Sequence, residues 1–216
     1  MIVLFEDNHL LALDKPTGLL TQDSGRKEES LESLAREWVK QRDKKSGNVY
    51  LHAVHRLDRS AQGIVLFAKS SKALKRLQQD LKGMGWQKEY LALVEGDTQQ
   101  EGVLRHLLIH GEHRAEVVTR GGKEAVLSFE RIEYRKGCSL LRIKLETGRY
   151  HQIRVQLAAI GHPIVGDVKY GGKRRGEKEG ISLLHSRLEL MHPVRGEKLV
   201  IESSFAENYR EMREIS

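Results

Sequence analysis

The stretch HRLDRSAQG, residues 55–63, sets a single carboxylate, Asp58, among His55, Arg56 and Arg59, and closes on Gly63. A second basic cluster, TGRYHQIR at residues 147–154, carries Arg149, His151 and Arg154. Guanidinium groups beside a carboxylate favour its ionised form, which stays usable as a nucleophile or base at neutral pH. In a cleft that attracts phosphate, such a group suits attack on a sugar carbon. The plain alternative for a lone Asp beside Arg is a structural ion pair of small energetic consequence. Two features favour chemistry. Each cluster stands at a strand end, so both can meet at one edge of a sheet. The whole chain is also basic, with 37 Lys and Arg against 30 Asp and Glu in 216 residues, a formal charge of +7. That balance favours a polyanionic partner such as nucleic acid.

Other constellations do not hold together. Ten histidines include His52 and His55 in HAVH and His110 and His113 in HGEH. Their spacing gathers no three or four convergent ligands, so no metal is expected. The GGK at residues 171–173 lacks the flanking residues of a phosphate loop, and no nucleotide cofactor is expected. Ser186 beside His185 lacks the strained turn of a hydrolase nucleophile. Cys138 is the only cysteine, which rules out an intrachain disulfide and fits a reducing, cytoplasmic setting. No run approaches the roughly 18 apolar residues of a membrane span, and the N-terminus carries no leader-like pattern. Monomer is the default expectation.

The elements that must position these residues follow from periodicity. IVLFE and LLALDK flank a DN turn as a hairpin, and KPTG ends the second strand. Between Ser30 and Gln41, Leu31, Leu34, Ala35, Trp38 and Val39 share one helical face. VYLHAV and GIVLFAKS read as strands on either side of the Asp58 loop. Ser70 or Ser71 caps a helix carrying Ala73, Leu74, Leu77 and Leu81 on one side. KEYLALVEG is a strand, and Leu141, Ile143 and Leu145 alternate with charged residues as another. Ile153, Leu157 and Ile160 line a helix that stops at Gly161. Short strands and a C-terminal helix, ENYREMREI, complete the chain. The length fits one large domain over residues 1–216, or two small lobes. The fold class expected is α+β, a mixed and mainly antiparallel sheet flanked by helices, with a cleft across the sheet.

The order HRLDR…GIVLFAKS, KEYLALVEG, TGRYHQIRVQLAAIGHPIVGDVKYGG and LLHSRLELMHPV resembles the RluA-type family of RNA pseudouridine synthases, and the likeness runs over nearly the whole chain. The resemblance implies an isomerase that converts uridine to pseudouridine in ribosomal or transfer RNA without cofactor or metal. It makes Asp58 the catalytic residue. Arg56 then matches the side chain that enters the RNA stack, Tyr90 the aromatic that packs on the flipped uracil, and Arg154 the basic partner of the carboxylate. His55, Arg59, Arg149 and His151 surround these positions as substrate-side candidates. Two departures stand out. RSAQG replaces the frequent Thr-Ser-Gly after HRLD, which changes local hydrogen bonding, and the first catalytic strand starts at residue 2, so no S4-type domain is expected ahead of it. RNA affinity would then come from the catalytic surface, with the basic loops QRDKKSGN and GGKRRGEK as candidate contacts.

Overall fold

The computed structural model describes residues 1–23, 25, 28–82, 85–174 and 180–211. In chain order its elements are β1 (Ile2–Glu6), β2 (Leu10–Lys15), α1 (Leu31–Arg42), β3 (His52–Ala53), β4 (Gln62–Ala68), α2 (Ser71–Lys82), β5 (Gln87–Glu95), β6 (Glu101–His110), β7 (Ala115–Val118), β8 (Lys123–Arg135) and β9 (Cys138–Leu145). They continue as α3 (Gln152–Ala159), a 3-10 turn at Val168–Tyr170, β10 (Leu183–Met191), β11 (Lys198–Glu202) and α4 (Ala206–Glu211). The strands outnumber the helices, and the pairs β1–β2, β2–β4, β3–β4, β5–β9, β6–β7, β6–β8, β8–β9 and β10–β11 are antiparallel, so the α+β class with a mainly antiparallel sheet expected from the sequence holds. The chain divides into two compact units. One is formed by Met1–Trp86 with His185–Ala206, the other by Gln87–Leu184 with the described residues from Glu207.

In the first unit the strands run β1-β2-β4-β10, with β3 added to β4 and β11 to β10. LLALDK is an almost unbroken apolar run because β2 lies between two strands and is buried along its whole length. Leu10 and Ala12 join Ile64, Leu66 and Ala68 of β4, Ala73 and Leu77 of α2, and Leu188, Leu190 and Ile201 in one core. The alternate residues Leu11 and Leu13 are equally buried on the other face. Both helices are capped by serine, as expected for α2. Ser30 Oγ accepts from Ser33 N at 3.1 Å while Ser33 Oγ accepts from Ser30 N at 3.0 Å, a capping box with serine in the place usually held by Glu. Of the two serines proposed for α2, Ser70 serves, accepting from Ala73 N at 3.2 Å.

The second unit is a meander in the order β5-β9-β8-β6-β7. Residues 101–135 show no apolar period of their own, yet they form β6, β7 and β8. Charged and apolar residues are interspersed there because much of β6 and β7 is exposed, which blurs a one-sided pattern. Val155 of α3 packs with Leu108, Ala115 and Ala125, and Tyr170 closes over them.

Some expected boundaries shift. VYLHAV forms only the two-residue β3, because residues 49–51 make no ladder. Ile160 lies just past α3 and is exposed, so the buried helix face rests on Ile153 and Leu157. The last third contains a nine-residue strand, β10, rather than short strands alone. The C-terminal helix is described to Glu211, and the rest of ENYREMREI lies outside the described residues.

Candidate active site

Asp58 sits half-buried in the loop between β3 and β4, between exposed Arg56 and Arg59. The segment that follows β2 braces this loop. Thr21 Oγ donates to Leu57 O at 3.0 Å and accepts from Leu57 N at 3.1 Å, while Thr17 Oγ1 donates to Ser60 O at 2.9 Å. Gly18 N donates to Arg59 O at 2.8 Å, and Arg59 Nε returns a bond to Gly18 O at 2.9 Å. KPTGLLT therefore does more than end a strand. It fixes the loop backbone on both sides of Asp58, the pre-organisation a reacting carboxylate requires.

Lys15 completes this brace, and sequence reasoning missed it. The side chain is 0 % exposed, and its Nζ donates to Pro16 O at 2.9 Å, Leu19 O at 2.8 Å and Arg59 O at 3.2 Å. Three carbonyls match the three N–H groups of an ammonium. Burial pushes its pKa down to about 8, against the opposing pull of the Asp58 charge. The signal in the sequence was a lysine ending an otherwise apolar, two-sided strand. Lys15→Met leaves the carbonyls without their donor and is expected to destabilise the protein by about 3 kcal/mol, read as a lower thermal midpoint at neutral pH. The folded pKa lies below the ordinary 10.5, so the unfolded chain holds the extra proton between pH 8 and 10.5, and this group's contribution to stability grows as pH rises through that window. The same substitution should remove that slope; an unaltered midpoint would show that the loop holds without the ammonium.

His55 turns its ring into the first unit, 5.8 Å from Trp86 and 5.4 Å from His185 between centroids, and its Nε2 accepts from Leu66 N at 3.2 Å. Gly63, where β4 begins, has φ +111°, and the backbone of His185 on β10 lies against it. A side chain there would enter the β10 backbone, so the glycine allows the strands to meet directly behind the loop.

Tyr90, Arg149, His151 and Arg154 belong to the second unit. Tyr90 is buried on β5. Lys88 shares its face of the strand two residues earlier, and burial pushes that lysine's pKa down to about 8. Arg154 on α3 is 5 % exposed and forms a two-pronged pair with buried Asp167, Nε to Oδ2 at 2.6 Å and Nη2 to Oδ1 at 2.8 Å. Its guanidinium carbon lies 5.0 Å from the Tyr170 ring centroid. Tyr170 is the neighbour that the sequence reading did not single out. Arg149 is exposed, with Nε on Glu124 O at 2.9 Å, and its backbone N–H is held by Gln152 Oε1 at 3.0 Å. His151 and Arg154 are brought into direct contact at 2.9 Å.

The basic loops differ in how they are used. Arg42 pairs with Glu6 and Asp43 and lies 4.4 Å over Trp38, whereas Lys44 and Lys45 are exposed, Lys45 within 3.3 Å of Asp43. Half of GGKRRGEK, residues 175–178, lies outside the described residues.

The family model described as RNA pseudouridylate synthase matches residues 9–159. The ribosomal large subunit pseudouridine synthase C of Escherichia coli K12 is 36% identical over 224 residues, covering 97% of this chain and 68% of its own. The ribosomal large subunit pseudouridine synthase D of Nitrosomonas europaea is 34% identical over 211 residues, covering 93% of this chain and 61% of its own. In fold, the chain is similar to human RNA pseudouridylate synthase domain containing 4, with a TM-score of 0.81 at 19% identity over 98% of this chain and 92% of that one. On the match over most of its length, with Asp58 inside the matched region, the chain belongs to the RNA pseudouridylate synthase family.

Proposed function

We propose that this enzyme isomerises uridine to pseudouridine within structured RNA, with large-subunit ribosomal RNA as the substrate class and Asp58 as the reacting group. The observation that carries the proposal is a half-buried carboxylate on a loop hydrogen-bonded from both sides, inside the region that matches the family. Stacked uridine hides its glycosidic bond, so the base must be extruded at a cost of a few kcal/mol. Arg56, exposed two residues before Asp58, fills the gap left in the stack. Tyr90 recovers about 1–3 kcal/mol by stacking on the extruded uracil. The Asp58 carboxylate then attacks the anomeric carbon or takes a sugar proton, and the N1 linkage breaks. Uracil turns and carbon five bonds to the sugar as the Asp58 oxygen leaves the anomeric carbon, or as the sugar regains its proton on the second route, and the proton displaced from carbon five is balanced by one gained at N1. No water enters and the leaving group stays, so the second carboxylate of a glycoside hydrolase has no task. The resemblance to the family assigns Arg154 as the basic partner that favours the ionised carboxylate.

The test is pseudouridine mapping in stable RNAs from cells with and without the gene, followed by addition of the purified protein to RNA from the deletion strain. The expected result is one or a few pseudouridines that vanish on deletion and return on addition. A protein that binds the RNA yet restores none would make this chain a binding module.

A further inference from the structure

We infer that His151 is the positioning residue for Arg154, and that it works only as a neutral imidazole protonated on Nδ1. The inference rests on the role proposed above for Arg154. Both ring nitrogens of His151 are engaged. Nε2 lies 2.9 Å from Arg154 Nη1, and Nδ1 lies 2.8 Å from the Tyr170 hydroxyl. A guanidinium has only donors, so Nε2 must present its lone pair. A neutral ring then carries its proton on Nδ1 and donates to Tyr170. The tyrosine oxygen is placed to receive it: it also accepts from Ala115 N at 2.8 Å and donates to Ala115 O at 3.3 Å. Burial pushes the Tyr170 pKa up to about 12, so that hydroxyl keeps its own proton.

The ring's position is over-determined. His151 has φ +52°, a left-handed conformation that costs a non-glycine residue about 1 kcal/mol, and it supplies no side-chain cap to α3. The Tyr150 ring stacks on it at 3.8 Å and 19°, and His110 packs against Tyr150 at 4.1 Å. The groups facing His151 are thus Tyr150 beside it, His110 beyond that ring, Tyr170 at Nδ1, and Arg154 at Nε2 with Asp167 behind the guanidinium. Asp167 holds two edges of Arg154 and His151 holds a third nitrogen, so the plane of the guanidinium is set by both. A proton on Nε2 would set an N–H and a second positive charge against Nη1, and the imidazole would cease to hold Arg154.

The full-length protein is assayed in single turnover on large-subunit ribosomal RNA from the deletion strain, across pH, as wild type, His151→Ala, His151→Gln and His151→Lys. His151→Ala is expected to lower the maximal rate on the order of 10²-fold with RNA affinity nearly unchanged, the effect of a misplaced charged group. His151→Gln, whose amide oxygen can accept from Arg154, should recover most of the rate and lack the acidic decline of the wild type, while His151→Lys should be no better than Ala. Nitrogen NMR of the His151 ring gives an answer independent of turnover: a protonated Nδ1 and an unprotonated Nε2 at neutral pH are expected. A wild-type rate in His151→Ala, an unchanged acidic decline in His151→Gln, or a protonated Nε2 would each overturn the inference. Loss of wild-type turnover on every RNA, with the ring in the expected tautomer, would sink the proposed activity and leave the local assignment standing.

Discussion

Asp58→Asn is expected to remove pseudouridine formation, by about 10⁴-fold or more, the scale seen when a reacting side chain is deleted from other enzymes. The substitution keeps the size of the residue and removes the charge. The braces on the loop are made by the backbone of Leu57, Arg59 and Ser60 and by the side chain of Arg59, so the fold should be kept. RNA affinity should also be kept, because phosphate contacts come from cationic groups the substitution leaves in place. The measurement is pseudouridine per RNA at long incubation beside a filter-binding titration at fixed salt. Product accumulating at the wild-type rate would take Asp58 out of the chemistry; loss of binding together with product would assign it to the scaffold instead. One secondary effect follows from Lys15. Asp58 pulls that lysine's pKa upward against burial, so the Asn variant should release the Lys15 proton at lower pH than the wild type does.

The second large effect is on stability. A Cβ built on Gly63 would lie 2.3 Å from His185 O, 2.7 Å from His185 N and 2.9 Å from His185 C, all backbone atoms of the neighbouring strand, at φ +111°. Neither the strand backbone nor the dihedral can yield cheaply. Gly63→Ala is therefore expected to cost about 4 kcal/mol, backbone strain and overpacking combined, or about 10 °C in thermal midpoint for a chain of this size. Gly121 supplies the comparison: its φ is +75° with nothing within 4 Å of the added carbon, so Gly121→Ala should lose only about 1 kcal/mol, the dihedral penalty alone. Equal midpoints for the two variants would show that β4 and β10 can part without loss.

Much of this was legible in the residues. The spacing of Leu31, Ala35 and Val39 gave α1, and all three are buried. The motif order pointed to the family and to Asp58. What stayed hidden depends on groups far apart in the chain. Lys15 meets the Arg59 carbonyl across 44 positions, and no local pattern announces that a lysine will be enclosed by carbonyls. Glu146 and Asp167 both lie within reach of Arg154 in the sequence, and only the packing of α3 against the turn at Val168–Tyr170 selects Asp167. His151 looked like one more basic residue in a cluster, because its tautomer is dictated by what its two nitrogens meet. The hairpins at residues 101–135 escaped notice because exposed strands lack the one-sided apolar signature that periodicity detects.

The first unit is discontinuous in sequence, since β10 and β11 arrive some 120 positions after β4. On the ribosome, β4 therefore emerges with β2 along one edge, and the part of its other edge that β3 does not cover stays unpaired until β10 is made. The Asp14 carboxylate, which accepts from Ser203 Oγ at 2.6 Å and Ser204 N at 2.8 Å, waits as long for its partners. In the second unit the β6–β7 and β8–β9 hairpins pair strands close in sequence and can close during translation. The nascent chain thus carries a folded insertion while an apolar strand edge stays open to aggregation, and the synthesis of β10, rather than the slowest hairpin, sets when the strand behind the Asp58 loop gains its final support.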